Sequence, residues 1–395
     1  MTEQQLLEAS TAELAGISFD CTCGRHHAVD ISLIRIANGI EREAAAYAAL
    51  RADGKPVFLV ADDHTYEAAG AGMEKALKNA GLSVKTHVFT SPHTLVPDEK
   101  AVGELILALP RDAGFIVGVG SGTLNDLCRI VSDRTHVPYL IVCTAPSVDG
   151  YASTVSPLII KGHKTTLEAV YPSAILADPE VLRAAPATLL HAGFGDLLGK
   201  VTALADWELA RQINDEYHCP VIEKMVRKAL SACTAQAAGV AGREAGAVTA
   251  LFEALALSGV CMGMIGNSRP ASGAEHHLSH YWEMDALKNG QEHALHGNAV
   301  GSATVAIART YELLRDLLPA GFEVPAATEI RLLLSKAGAA VTPADLGIPR
   351  ELFHRSMLEA MFVRDRYTIL RFAADHGKLE EIADLLTEEF YGAEA

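Results

Sequence analysis

Positive charge is what this sequence has least of: 33 Lys and Arg stand against 49 Asp and Glu, for a net charge of −16. Such a field repels phosphate backbones and anionic lipid, which argues against nucleic-acid binding. Any anionic ligand must be held by a few local cations, or by a metal, against the global field. Long apolar runs are also wanting; none reads as the eighteen or so residues of a membrane span. The first residues, MTEQQLLEASTAEL, are acidic and amphipathic and lack the basic segment and apolar core of a secretory signal. Cysteine is sparse, seven in all and scattered, as expected of reduced thiols in a cytoplasmic protein. There is no internal repeat, no low-complexity tract and no long linker.

What is present is enough for two cores. At 395 residues, 49% hydrophobic and 21% charged, the chain is an ordinary globular sequence too long for one comfortable domain. From about residue 29 short apolar runs alternate with longer amphipathic stretches, the pattern of a parallel sheet covered by helices. PVFLVA (56–61), residues 83–89, FIVGV (115–119), PYLIVC (138–143) and 174–177 read as strands. Residues 66–80 and 98–109 read as helices, and 154–160 with 164–169 as a hairpin. After Pro179 the strand signal stops, and helical periodicity fills residues 180–191, 195–213, 219–235, 244–266, 272–288, 297–317, 326–338, 350–374 and 378–389. The expected architecture is an α/β, Rossmann-like nucleotide-binding domain (1–178) followed by an all-α domain (179–395).

Chemistry is concentrated in SGAEHHLSHYWEMDALKNGQEHALHG, residues 272–297. Five of the sixteen histidines fall between His276 and His296, where an even spread would place about one. On a helix His276 and His280 share a face one turn apart, which suits one for a metal and the other for a bound molecule; His277 points elsewhere. His277 and His293 read as structural or exposed. Two imidazoles and one carboxylate leave open positions on a cation for a substrate, so an acid is needed from elsewhere. HAGFGDLLGK offers one: Gly195-Asp196 reads as the opening of a helix, and the apolar Phe194, Leu197 and Leu198 would bury Asp196, which then needs a partner.

In the first half GVGSGTLND, between a strand and a helix, could cradle a pyrophosphate through backbone N–H groups and the helix N-terminus, or could use its glycines for shape alone. Asp62 could accept from an adenosine ribose or simply cap a helix. The segment from Thr144 to Gly150 sits at a strand's carboxyl end, where open sheets place ligand contacts. FDCTCGRHHAV, with Cys21, Cys23, His26 and His27, reads as a hairpin turning at Gly24 rather than as a metal knuckle, its spacing being too short for a standard zinc module.

Together GSGTLND, TAPSVDGYAS, HAGFGDLLGK, RPASGAEHHLSH and HALHGNAVG resemble, in order and layout from about residue 30 onward, the family of iron-type alcohol dehydrogenases, glycerol dehydrogenase and dehydroquinate synthase. Within it they are most similar to the sn-glycerol-1-phosphate dehydrogenases. The resemblance implies reduction of dihydroxyacetone phosphate to sn-glycerol 1-phosphate by NAD(H) or NADP(H) with one divalent metal ion, zinc or nickel before iron. It implies a dinucleotide held by Gly120, Ser121, Gly122, Thr123, Leu124, Asn125 and Asp126, by Thr144, Ala145, Pro146 and Ser147, and by Ser153, with Asp62 at the ribose. Asp149 would contact substrate; Asp196 would bind metal and substrate; His276 and His296 would complete the metal site; His280 would face substrate and pass the proton. Where many relatives carry a further histidine this chain has Lys200, which with Arg269 is a candidate for the phosphate. A cytoplasmic homo-oligomer, dimer or larger, is the further expectation. The rival readings are glycerol dehydrogenase or another polyol dehydrogenase of the same superfamily, and a non-catalytic nucleotide- or metal-binding protein on the same scaffold.

Overall fold

A computed structural model describes residues 2–90 and 94–392. They fall into two compact units. One comprises residues 1–20 and 26–186; the other comprises residues 21–25 and 187–395.

The first unit begins with α1 (Glu3–Glu8) and a two-stranded hairpin, β1 (Ser18–Asp20) and β2 (His26–Ala28). Its centre is a six-stranded sheet of β3 (Leu33–Ile36), β4 (Val57–Asp62), β5 (Val84–Phe89), β6 (Phe115–Gly120), β7 (Tyr139–Cys143) and β10 (Ala174–Ala177). The order is β3-β10-β7-β6-β4-β5, parallel throughout. An antiparallel ribbon, β8 (Val155–Ile160) and β9 (His163–Glu168), stands apart from it. The helices are α2 (Glu41–Ala52), α3 (Asp63–Thr65), α4 (Ala71–Asn79), α5 (Glu99–Ala108), α6 (Gly122–Thr135) and α7 (Pro179–Ala184). A π-helical stretch, Tyr66–Gly70, joins α3 to α4. β4, β6, β7 and β10 are apolar runs because helices cover both of their faces; Val57, Leu59, Val117, Leu140 and Leu176 pack with Ala44, Ala48, Met73 and Leu77 into one core. From β4 the chain steps outward to β5, then returns past β4 to β6. That reversal leaves a crevice at the carboxyl ends of β4 and β6, the place where open α/β sheets bind ligands. Asp62 and Gly120 are the last residues of those two strands.

The second unit is helical: α8 (Ala187–Asn214), α9 (Pro220–Thr234), α10 (Ala237–Ala241), α11 (Ala245–Ile265), α12 (Ala274–Lys288), α13 (His296–Leu313), α14 (Ala327–Ala337), α15 (Arg350–Glu359), α16 (Ile369–Asp375) and α17 (Leu379–Tyr391). Two expectations are corrected here. Asp196 does not open a helix. It lies well inside α8, which starts at Ala187 and runs on through Gly195 and Gly199, both of them close contact points rather than breaks. Residues 350–374 are not one helix: α15 ends at Glu359, a 3₁₀ turn covers Ala360–Phe362, and α16 begins only at Ile369. In the intervening segment lie Arg364 and Arg366. α11 would pass for a membrane span by length and composition alone, but 67% of its apolar window is buried in the fold, as in the core helix of a helical bundle. Arg269, a candidate for the phosphate, is 4% exposed.

α8 and α13 meet through glycine. A Cβ on Gly195 would stand 2.2 Å from the carbonyl oxygen of Gly297, and one on Gly297 would stand 1.8 Å from that of Ala192. No side chain fits at either place, so the two backbones touch. This contact brings the residue after Gly195 beside the residue before Gly297.

Candidate metal and dinucleotide sites

Those two residues are Asp196 and His296. With His276 on α12 they offer ligand atoms that all lie within 4.8 Å of one another. Asp196 is fully buried and His276 nearly so. The ring centroids of His276 and His296 are 5.3 Å apart, and Nε2 of His276 lies 3.6 Å from Oδ1 of Asp196. The other ring nitrogen of His276, Nδ1, is 2.7 Å from Oε1 of Glu275. An ionised carboxylate only accepts, so the proton sits on Nδ1 and the Nε2 lone pair faces Asp196. A carboxylate behind a histidine is how metal-ligating imidazoles are oriented. Burial by itself would raise the Glu275 carboxyl; hydrogen bonds from His276, the Gly273 N–H and the Thr202 hydroxyl hold it below the usual range instead. Glu275 escaped the sequence reading, although an acid directly ahead of His276 was its visible sign.

Lys200, one helical turn beyond Asp196, is also fully buried and places Nζ 2.7 Å from Oδ1 of Asp196. Burial would raise the Asp196 carboxyl, but Lys200, with His276 and His296, holds it well below the ordinary carboxylate range. It is therefore an anion, as a metal ligand must be. An acid and two imidazoles, with a second carboxylate behind one of them, fit a divalent cation in coordination chemistry.

His280 follows on the same face of α12, its ring stacked on His296 at 5.3 Å between centroids with 23° between planes. Its Nε2 is 3.2 Å from a guanidinium nitrogen of Arg364. Arg364 reaches Ser268 Oγ at 3.4 Å and Ser272 Oγ at 3.5 Å, and Arg366 donates to the Ser272 carbonyl at 3.1 Å. All of these partners are uncharged. Burial lowers Arg364 from its ordinary value, and burial with the neighbouring Arg364 and Arg269 takes Arg366 down to about 10. Arg269, by contrast, is committed: Nε donates to Glu216 at 2.6 Å, Nη2 to the second oxygen of that carboxylate, and Nη1 to the Tyr367 carbonyl at 2.9 Å. The cation on His280 is thus Arg364, with Arg366 sharing Ser272 with it, and not Arg269. Nothing in the sequence marked them, because they come from a short irregular segment between helices. His277 is buried, and burial lowers it to about 3, so it is a neutral core residue. His293 is exposed.

In the first unit, α6 opens at Gly122 directly after β6, and its N-cap, Ser121, makes no side-chain cap. The first backbone N–H groups of α6 therefore point out of the carboxyl end of β6, as a pyrophosphate site requires. A Cβ on Gly120 would come within 2.3 Å of Leu124, so this glycine lets the helix pack onto the strand. Leu124, Asn125 and Asp126 turn inward rather than toward the crevice. Leu124 is 1% exposed, Asn125 donates to the Gly150 carbonyl at 3.2 Å, and Asp126 pairs with Arg129 at 2.6 Å, because helical periodicity assigns that face to the core. Burial raises the Asp126 carboxyl to about 7 despite Arg129.

The loop from Thr144 to Ser153 runs alongside, the Thr144 N–H donating to the Gly120 carbonyl at 3.1 Å. Thr144, Ala145, Pro146 and Ser147 are buried, and Asp149 and Ser153 are half-buried, with Ser153 Oγ accepting from the Val155 N–H. The fully buried Arg129 shapes this loop: its guanidinium donates to the carbonyls of Gly150, Tyr151 and Val155 at 2.6, 3.1 and 3.0 Å, and the Tyr151 hydroxyl donates to the Ala145 carbonyl at 2.6 Å. Asp62 caps α3, accepting from the Thr65 N–H at 2.7 Å, so the capping role is present whatever else its carboxylate does.

Comparison with known proteins follows the same lines. Residues 35–186 match the family model described as iron-containing alcohol dehydrogenase. Glycerol-1-phosphate dehydrogenase, NAD(P)+, of Geobacillus thermodenitrificans (strain NG80-2) is 36% identical over 386 residues, covering 90% of this chain and 95% of that protein. The same-named protein of Geobacillus stearothermophilus is 34% identical over 394 residues, covering 91% and 96%. Among solved structures, sulfoacetaldehyde reductase from Bifidobacterium kashiwanohense in complex with NAD+ superposes with a TM-score of 0.67 at 18% identity, covering 91% of this chain and 98% of that one.

Proposed function

Since the chain belongs to the glycerol-1-phosphate dehydrogenases, within the iron-containing alcohol dehydrogenase superfamily, we propose for its two sites the roles that this membership and their geometry support together. The protein is an NAD(P)-linked oxidoreductase that interconverts dihydroxyacetone phosphate and sn-glycerol 1-phosphate. The dinucleotide belongs at the crevice of the first unit. Its pyrophosphate lies on the N-terminus of α6, at Gly120, Ser121, Gly122 and Thr123, and the Thr144–Ser147 and Ser153 loop stands against it. Asp149 on that loop is kept for the substrate.

Asp196, His276 and His296 hold one divalent cation, zinc or nickel, whose chemistry when bound is Lewis acidity toward the ketone of the substrate. Glu275 fixes the tautomer of His276 so that its Nε2 lone pair is available. Lys200 offsets the charge of Asp196 and stands where other family members supply a further ligand. It is a structural cation here, because its ammonium is already used on Asp196.

Arg364 and Arg366 take the substrate's phosphate in place of Arg269. A guanidinium pair with only uncharged partners is suited to an arriving dianion. Arg364 donates to Nε2 of His280, so that nitrogen is engaged until the phosphate draws the guanidinium away. Nε2 of His280, which carries no proton while it accepts that bond, can then take one up from solvent and pass it to the substrate oxygen that becomes the hydroxyl. None of the seven cysteines is in a disulfide, which supports the cytoplasmic reading.

The observation that carries this reading is the convergence of Asp196, His276 and His296, brought together by the contact of Gly195 with Gly297. It is tested by nicotinamide oxidation with dihydroxyacetone phosphate across zinc, nickel and ferrous ions, with chiral assignment of the product. Turnover confined to unphosphorylated dihydroxyacetone, or unchanged activity in metal-free His276→Ala protein, overturns it.

A further inference from the structure

The segment Cys21-Thr-Cys-Gly-Arg25 has no part in that chemistry, yet it is built with care. Gly24, at φ +85°, turns the tip of the β1–β2 hairpin, and two hydrogen bonds, Cys21 N–H to the Arg25 carbonyl and Gly24 N–H to the Cys21 carbonyl, each 3.0 Å, close it. The expected turn is there. So is a set of metal donors.

Cys21 and Cys23 on the tip belong to the same compact unit as Cys219, and Sγ of Cys21 lies 3.7 Å from Sγ of Cys219. A disulfide would need about 2.05 Å. Two thiolates on one tetrahedral zinc ion, each at about 2.3 Å, stand about 3.8 Å apart. The ligand atoms of Cys21, Cys23 and Cys219 all lie within 4.8 Å of one another. Cys219 is buried, and Cys21 and Cys23 are half-buried. The single residue between Cys21 and Cys23 is a shorter gap than the usual two to four or so. The donor missing from the local spacing is supplied, from far along the chain, by Cys219.

Cys219 is the N-cap of α9 and has no side-chain cap of its own, so the positive end of the helix faces its sulfur. The Tyr217 hydroxyl lies 3.1 Å from Sγ of Cys23, and the Arg25 guanidinium stacks on the Tyr217 ring, 3.3 Å from its centroid. The Trp207 indole holds the Tyr217 carbonyl at 2.8 Å.

We propose that Cys21, Cys23 and Cys219 form a second metal site, a three-thiolate zinc site that pins the hairpin tip to the start of α9. Its role is to hold the turn against the helix start. Binding forms three zinc–sulfur bonds, with water as the fourth ligand; the three thiol protons leave to solvent, and no oxidation state changes.

The test is metal counting by mass spectrometry on the full-length protein purified with zinc, alongside Cys21→Ser/Cys23→Ser, His276→Ala and the triple variant. The double variant is expected to carry one ion per chain fewer than wild type, and the same decrement is expected in the His276→Ala background. That second comparison separates this site from the one on Asp196. Because a variant may misfold, wild-type protein is also loaded with cobalt(II), for which a sulfur-to-cobalt charge-transfer band is expected and should persist in His276→Ala. Equal metal counts with and without the two cysteines, absence of that band in wild type, or a Cys21–Cys219 disulfide in the reduced-handled protein each overturn the proposal.

Discussion

Nδ1 of His276 lies 2.7 Å from the carboxylate of Glu275, the residue immediately before it. Adjacent residues on a helix point about 100° apart, so this contact is possible only because Glu275 is in the first turn of α12 and folds back, accepting from the Gly273 N–H at 2.6 Å as well. The imidazole is therefore oriented before any cation arrives. Glu275→Gln keeps the shape and removes the charge. Zinc affinity at the Asp196 site is expected to fall by roughly 10–100-fold, read in a chelator competition titration; unchanged affinity would remove Glu275 from the site.

Arg364→Ala tests the phosphate assignment. Loss of one charge-assisted hydrogen bond corresponds to about 1.5–3 kcal/mol, so kcat/KM for dihydroxyacetone phosphate should drop roughly 10–100-fold, chiefly through KM. Turnover of unphosphorylated dihydroxyacetone should change little. Equal losses on both compounds would mean that Arg364 acts on His280 alone. Arg269→Ala is expected instead to lower Tm, since it leaves the Glu216 carboxylate without its guanidinium.

Gly297→Ala places a methyl group 1.8 Å from the Ala192 carbonyl oxygen. α8 and α13 must move apart, and overpacking of this kind costs about 3 kcal/mol or more. A fall in Tm of several degrees accompanied by weaker metal binding is expected in calorimetry and metal titration. Lower Tm with intact metal affinity would show that the two helices need not touch for Asp196 and His296 to meet.

Acid sensitivity should come in part from Glu223. Burial would raise its carboxyl, but His218 at 3.0 Å and Arg227 at 2.7 Å bring it down to about 2 from an ordinary 4.5. A depressed carboxyl contributes stability above its unfolded value, and that contribution disappears as pH falls from about 4.5 toward 2. Glu223→Gln should therefore melt below wild type at neutral pH, with the gap closing as the solution is acidified through that window. A gap independent of pH would assign the loss to packing.

The sequence was most legible where one physical rule acted alone. The strands β4, β6, β7 and β10 announced themselves as apolar runs because both of their faces are covered, and the α12 histidines did so because helical spacing groups His276 with His280. Legibility failed where two rules competed. Gly195-Asp196 read as a helix start, yet tertiary contact with α13 goes with an α8 that is continuous through them. Arg364 and Arg366 sit in an irregular stretch that periodicity took for helix, and Glu275 was overlooked because its partner is its own neighbour. Cys219 lies some two hundred residues from Cys21, a separation that no local spacing rule can bridge.

The guanidinium of Arg129, sealed inside the first unit with three carbonyls of the 150–155 segment on its fork, has one more consequence. Those carbonyls need a buried cation to stay where they are, and they have one whether or not a nucleotide is bound. The segment is thus cast before its guest arrives, so little of the binding free energy is consumed in ordering it, and amide exchange there should be slow in the free protein already. Evolution of coenzyme preference can then proceed by changing side chains on a fixed mould, leaving the mould itself untouched.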